Sequence, residues 1–360
     1  LPTPGVSFLA NSNNQVGLVI SASHNLFEDN GIKFFNKDGQ KFSLELERRI
    51  EAKLTQEMTA VESINLGKAS RMNDAQGRYI EFCKSSFTNL DLSGLSILLD
   101  CANGATYSVA PSVFTELGAT VDTIGASPDG ININQNCGST SPDFLKEEIA
   151  KGDYDIGIAF DGDGDRILVI SSEGTVLDGD DILYILSHDL SNESGVIGTL
   201  MTNKALELYF EEQGINFSRA DVGDKYVLNA LVSNKWDLGG EPSGHIICLD
   251  SAPTGDAIIA ALKLLNSIKI YDFSLEKSLE GFARFPQTLI NLKVDDPNKI
   301  ILSDRFWSKV TQIEKTLGDQ GRVLIRPSGT EPLIRLMVES NETSISENFC
   351  NSLAELALEI

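Results

Sequence analysis

Short unbroken apolar runs and longer stretches of mixed character alternate along this chain. The runs at 16–20, 95–99, 120–124 and 196–200 predict strands. The stretches at 43–55, 107–117, 181–190, 203–213, 225–234 and 256–268 predict helices. Strands and helices in turn imply α/β layers with mixed, largely parallel sheets. The last eighty or so residues differ. Val323-Leu324-Ile325 and residues 333–338 bracket a Pro/Ser/Gly/Thr loop, and a helix follows. Its start reads as a capping box, Ser344-Ile345-Ser346-Glu347, and its apolar face as Ile345, Phe349, Leu353, Leu356 and Ile360. This predicts a small C-terminal α+β domain. Boundaries near 88, 177 and 285 give four domains: 1–88, 89–177, 178–285 and 286–360.

The composition, 41% hydrophobic and 22% charged over 360 residues, is that of a globular protein of several domains. No apolar run approaches a membrane span, and no signal peptide is visible. A net charge of −23 argues against nucleic acid and anionic membrane as partners. Cys83, Cys101, Cys137, Cys248 and Cys350 show no paired metal spacing, which fits reduced cytosolic thiols. The chain opens on Leu1-Pro2-Thr3-Pro4 without an initiator Met, so the first domain is expected to be incomplete.

Four polar loops could carry chemistry. Asp161-Gly162-Asp163-Gly164-Asp165-Arg166 lies between two apolar runs. Three carboxylates this close repel one another in a low dielectric, so a buried version needs a cation such as Mg²⁺ or Ca²⁺. A solvated turn is the alternative, since Asp and Gly are turn formers. An EF-hand is excluded: counting from Asp161, Arg166 and Ser172 stand where Gly and Glu are required. A second loop, Ser21-Ala22-Ser23-His24-Asn25, offers either an activated nucleophile or a helix N-cap. In the third, 239–245, Glu241, Ser243 and His245 could face one side of an extended loop and read sugar hydroxyls, or form a glycine-rich surface turn. The fourth, 326–332, holds Arg326, Ser328, Gly329 and Thr330 with Arg335 beyond, as a phosphate cradle or as plain turn chemistry.

Taken in order, ISASHN, DNGIKFF, LDCANGATY, DGININ, CGST, DGDGDR, VGDKYV, GGEPSGHII, TGD and RPSGTEPLIRLMVE resemble the α-D-phosphohexomutase superfamily over nearly all of residues 2–340. Within it, DNGIKFF and DGININ with CGST resemble the branch acting on glucosamine phosphates. The resemblance implies four domains around a central cleft, carrying in order a phosphoserine, a metal, a sugar site and a phosphate site. Ser23 would carry the phosphate, beside His24. One Mg²⁺ per chain would be held by that phosphate with Asp161, Asp163 and Asp165. Lys33 would act as acid/base and charge partner, and Arg166 would steady the metal loop. Glu241, Ser243 and His245 would read the sugar. Arg326, Ser328, Gly329, Thr330 and Arg335 would clamp its distal phosphate.

The implied reaction interconverts glucosamine 6-phosphate and glucosamine 1-phosphate through a sugar 1,6-bisphosphate, in the cytoplasm, and the resemblance admits a homodimer. Two departures stand out. Leu26 replaces the family's Pro after Ser-His-Asn, and the family carries a further N-terminal segment with an F-G-T-x-G-I-R-G stretch before the point where this chain begins. Rival readings are a phosphoglucomutase or phosphomannomutase, a silent sugar-phosphate-binding protein, and a phosphatase using Asp161 as nucleophile.

Overall fold

A computed structural model of the chain describes residues 1–57, 60–327 and 332–360. The chain divides into two compact units: Leu1–Met201 with Ser218–Glu280, and Thr202–Phe217 with Gly281–Ile360.

The first unit begins with a helix, Thr3–Asn13, which the sequence pattern did not announce because its buried positions, among them Thr3, Gly5, Ser7 and Ala10, are small or polar rather than an apolar stripe. An antiparallel hairpin follows, β1 (Gly17–Ser21) and β2 (Gly31–Phe35). A five-stranded sheet comes next, built from β3 (Ser96–Asp100), β4 (Thr120–Ile124), β5 (Ile156–Phe160), β6 (Ile167–Ser171) and β7 (Val176–Leu177), in the order β4-β3-β5-β6-β7. β3 runs parallel to β4 and β5, whereas β5, β6 and β7 pair antiparallel. Every residue of β5 is buried, as expected of a central strand covered on both faces. Gly157 lets the helix Pro142–Ile149 pack close, since a Cβ there would lie 2.1 Å from Ile149 Cδ1 and displace that side chain. Leu98, Leu145, Ile149, Ala159 and Ile170 form the core between that helix and the sheet.

A second sheet contains β8 (Gly195–Thr199), β9 (Asn216–Ala220), β10 (Leu238–Gly240) and β11 (Ile246–Cys248), in the order β11-β10-β8-β9. β10 is parallel to β8 and antiparallel to β11. The helix Ala257–Ile268 is apolar almost all round and correspondingly buried. Asp256 caps it, accepting from the amides of Ile258 (3.0 Å) and Ile259 (3.1 Å).

The second unit holds β12 (Gln287–Lys293), β13 (Gly321–Pro327) and β14 (Leu333–Ser340) as an antiparallel sheet, order β12-β14-β13. Phe306, Val310 and Ile313 from the helix Asp304–Leu317 pack with Cys350 and Leu353 from Thr343–Leu358. Glu339 is fully buried and accepts from Arg322 Nε (2.6 Å), the Lys204 amide (3.0 Å) and Gln287 Nε2. That meets the rule that a buried charge is paired and hydrogen-bonded. It also ties the residues around Lys204 to the C-terminal sheet, so the division into units departs from simple chain order.

Two expectations need correction. The last helix starts at Thr343, with Glu342 in the cap position and no side-chain cap, so Ser344 lies inside it. Ile360 falls beyond the helix and is 37% exposed, while Cys350, Ala354 and Ala357 complete the buried face. The strand 287–293 had also gone unread. Its alternation is clear only once β14 supplies a partner along its whole length. Among the described residues no helix is long and apolar enough to cross a membrane.

Candidate active site

β1 delivers Ser21 to a loop that returns through Gly31 into β2, and the register Val19↔Lys33 sets Lys33 on the strand leaving that loop. No helix begins after Ser23, so the N-cap reading of this stretch does not apply. Ser23 takes φ 54°, the left-handed region. Its amide donates to Ser21 Oγ (2.9 Å), and its hydroxyl donates to Asp163 Oδ1 (3.0 Å) across 140 positions of sequence.

Asp163 sits in the turn of the β5–β6 hairpin, where Phe160 pairs with Ile167. Asp161 organises this turn: its Oδ1 accepts from the amides of Gly164 (3.0 Å), Asp165 (3.0 Å) and Arg166 (3.1 Å). Gly162 allows the close approach to the serine loop, since a Cβ would lie 2.5 Å from the Ser23 carbonyl oxygen. Asp161, Asp163 and Asp165 are only 0%, 1% and 5% exposed, which removes the solvated-turn alternative.

Lys33 Nζ donates to Asp163 Oδ2 (2.6 Å), Asp165 Oδ2 (3.0 Å) and Ser23 Oγ (3.3 Å). Burial alone would lower its pKa, but Asp165 and Asp163 outweigh it and hold the ammonium charged well above its usual range. The same pairing shapes Asp165. Burial favours its neutral form, yet the charges of Lys33, His245 and Lys41 prevail and keep it a carboxylate. For Asp161, burial, then Asp165 and Asp163, outweigh the backbone and charge of Arg166 and push its pKa well up. His24 is half-buried; burial and then Arg166 push its pKa down.

The three carboxylates each bring an oxygen within 4.8 Å of the others. At that spacing each pair of charges repels by at least about 3.5 kcal/mol at an effective dielectric near 20. Asp161 Oδ2 and Asp165 Oδ1 are buried without a hydrogen-bond partner. Lys33 and the nearby Lys41 and Arg166 leave these two oxygens unpaired, so these hard oxygen donors fit a divalent cation.

Several residues that sequence reading missed support this centre. Thr3 donates through its hydroxyl to Asp163 Oδ2 (2.5 Å) and through its amide to the Asp163 carbonyl (2.8 Å). The amide of Ala257 donates to the Gly164 carbonyl (3.1 Å), so the Asp256-capped helix braces the acidic turn. Tyr79 in turn donates to Asp256 Oδ2 (2.7 Å). The Pro-Thr-Pro start was the one local sign of a helix N-terminus near Thr3.

The third loop is not extended. It is the turn of the β10–β11 hairpin, where Gly240 pairs with Ile246. Glu241 and His245 are buried and Ser243 is exposed, so the three do not share one face. Glu241 Oε1 accepts the Gly223 amide (3.0 Å). Both ring nitrogens of His245 lack hydrogen-bond partners, and Nε2 lies 3.9 Å from Asp224, which also pairs with Lys41. The amide of Ile167 donates to the Gly244 carbonyl (3.0 Å), which joins this turn to the residue after Arg166. Arg166 ties its own backbone to Asp161, while its Nε is buried without a partner.

Arg326 and Arg335 belong to the second unit and stand opposite each other on β13 and β14. Like charges directly across a ladder destabilise it unless an anion intervenes. Ser328, Gly329 and Thr330 lie outside the described residues.

Four family descriptions match successive stretches. Phosphoglucomutase/phosphomannomutase alpha/beta/alpha domains I, II and III match residues 1–61, 77–174 and 178–285, and the C-terminal domain matches 289–356. A phosphoglucosamine mutase of Legionella pneumophila (strain Corby) is 49% identical over 366 residues, covering 99% of this chain and 80% of its own. The chain belongs to the phosphoglucosamine mutase branch of this family. A second member, from Aeromonas salmonicida (strain A449), is 50% identical over 361 residues, covering 99% and 81%. Among solved structures, a phosphoglucomutase/phosphomannomutase family protein of Burkholderia thailandensis has a TM-score of 0.80 at 22% identity, covering 100% of this chain and 81% of that one. The N-acetylphosphoglucosamine mutase of Aspergillus fumigatus, in complex with GlcNAc-6P and magnesium, has a TM-score of 0.76 at 17% identity, covering 99% and 92%. At these identities the two structures establish the family fold for this chain.

Proposed function

We propose that this isomerase interconverts glucosamine 6-phosphate and glucosamine 1-phosphate by way of a phosphate carried on Ser23. The observation that carries the reading is Ser23 Oγ, 3.0 Å from Asp163 in a buried carboxylate triad and 3.3 Å from a lysine held charged. In the forward direction the Ser23 phosphoryl group passes to the free O1 of the sugar. The Oγ–P bond breaks as the O1–P bond forms, and the proton that O1 loses balances the one that Ser23 Oγ takes up to become a hydroxyl. The resulting 1,6-bisphosphate then returns its other phosphate to Ser23. Such a transfer needs in-line positioning and charge neutralisation more than covalent help. The Lys33 ammonium already donates to Ser23 Oγ, the oxygen that gains charge as the phosphate departs. Asp161, Asp163 and Asp165 would hold Mg²⁺ together with the phosphate of Ser23. The ion would supply charge neutralisation at the phosphoryl oxygens. Glu241, Ser243 and His245 read the sugar in this proposal. Arg326 and Arg335 bind its distal phosphate together with Ser328, Gly329 and Thr330. The product feeds amino-sugar and cell-wall precursor synthesis in the cytoplasm.

Initial rates on glucosamine, glucose and mannose phosphates, with and without Mg²⁺, test the reading. The expected result is a marked preference for the glucosamine pair, with intact mass showing one phosphate that disappears in Ser23→Ala. A preference for mannose 1-phosphate sinks the glucosamine assignment. Phosphatase activity retained by Ser23→Ala moves the nucleophile to Asp161.

A further inference from the structure

We propose that Asn134 positions Ser23 for phosphoryl transfer by clamping the loop that carries it, an inference that rests on the mutase reading of Ser23. Serine at φ 54° is in a conformation that L residues with a Cβ adopt only where the surroundings hold them. The bonds within the loop, Ser23 amide to Ser21 Oγ and Asn25 amide to the Ala22 carbonyl, are local and leave the carbonyls of Ser23 and Asn25 in need of donors. Asn134 supplies both. Its Nδ2 lies 2.8 Å from the Ser23 oxygen and 2.7 Å from the Asn25 oxygen, which uses the two hydrogens of one carboxamide. The amide orientation follows from the chemistry, because a flip would set oxygen against two carbonyl oxygens.

Asn134 is itself anchored. It is 5% exposed and left-handed (φ 57°), a conformation Asn tolerates, and its amide donates to the Ala102 carbonyl (2.8 Å). Ala102 and Asn103 are consecutive left-handed residues at the end of β3. Asp100, fully buried on that strand, holds this bend by accepting from the amides of Ala102 (2.9 Å) and Gly138 (2.6 Å). A rigid path thus runs from the five-stranded sheet through Asp100, Ala102 and Asn134 to the backbone of Ser23. Gly162 of the acidic turn closes on the same Ser23 carbonyl. The clamp therefore fixes Ser23 Oγ relative to Asp163 without touching the oxygen that reacts.

Asn134→Gly keeps the left-handed backbone and removes the carboxamide, and Asn134→Asp keeps the shape but turns a carboxylate toward two carbonyls. Both are compared with the full wild-type chain. For Asn134→Gly, kcat for glucosamine 1-phosphate falls by about 100-fold, as misplacement by an ångström does, and KM stays within about threefold. Hydrogen exchange in peptide 21–27 rises by about tenfold while the rest of the first unit keeps its protection. Asn134→Asp loses at least as much kcat. The proposal is overturned if kcat of Asn134→Gly stays within about threefold of wild type, if KM alone changes, or if protection is lost throughout the unit. If the wild type turns over no hexosamine phosphate, the mutase reading fails by itself. Exchange in 21–27 then still decides the clamp: faster exchange in Asn134→Gly supports it and unchanged exchange removes it.

Discussion

Two hairpins in this molecule gather like charges, and they manage them in opposite ways. The β5–β6 turn brings Asp161, Asp163 and Asp165 together in almost complete burial and surrounds them with Lys33, Thr3, backbone amides and a helix N-terminus. The β13–β14 pair sets Arg326 opposite Arg335, with Arg335 exposed. Burial strengthens every charge interaction and makes the acidic turn demand a cation. With Arg335 exposed and Arg326 partly so, the arginine pair is screened by water and salt and can attract an anion and let it go. The acidic turn is therefore built for fixed geometry, and the arginine pair for reversible capture.

The largest test of this contrast is Asp163→Asn, which weakens the acceptor shared by Ser23, Lys33 and Thr3. Turnover is expected to fall by about 1,000-fold, close to 4 kcal/mol of transition-state stabilisation. Activity within tenfold of wild type would mean that the buried turn is not the centre of the chemistry.

Next in size is an effect on stability. Asp256 caps the helix that braces Gly164, and burial, only partly offset by the hydrogen bond from Tyr79 and those from Ile259 and Ile258, raises its pKa from 3.8 to about 6. A raised acid pKa means that its contribution is fully present below about pH 4 and is lost as pH rises through about 6. Relative to Asp256→Asn, the wild type is expected to lose about 3 kcal/mol across that window. Urea unfolding of both proteins from pH 4 to 7 measures this. Parallel stability curves would show that Asp256 titrates as in the unfolded chain.

The smallest effect is expected in the arginine pair. Arg335→Ala is predicted to raise KM for the sugar phosphate by about tenfold, or 1.4 kcal/mol, with kcat little changed and the difference shrinking in high salt. A collapse of kcat at unchanged KM would make Arg335 part of the chemistry and blur the contrast.

How legible each part was follows from the range of the forces involved. The acidic turn could be read because its Asp-Gly alternation and flanking apolar runs are contiguous, and β4 appears over the residues its pattern marks. Ser23 and Lys33 could be named through the resemblance, but their shared contact with Asp163 spans 130 to 140 positions. Asn134 and Asp224 lie inside the family blocks DGININ and VGDKYV, and Thr3 in the Pro-Thr-Pro start, but the contacts of each could not be read because the partners come from distant segments. The capping box at Ser344 misled because a capping pattern marks a possible start, and here the turn after β14 set the actual one at Thr343. For the third loop the sequence left an extended loop and a glycine-rich turn both open, because it does not reveal the Gly240↔Ile246 pairing that folds it into a hairpin.

By itself the sequence determined the local elements: which runs become strands, where glycine permits a tight turn, and which polar loops follow the strands. It also carried the family, because the motif blocks survive intact and in order. Tertiary structure alone decided which of those loops meet, which carboxylates are buried, and which amides hold Ser23 in a left-handed bend. The physical reason is that secondary structure answers to neighbours within a few residues, whereas desolvation and charge pairing depend on groups that meet only after the chain has folded.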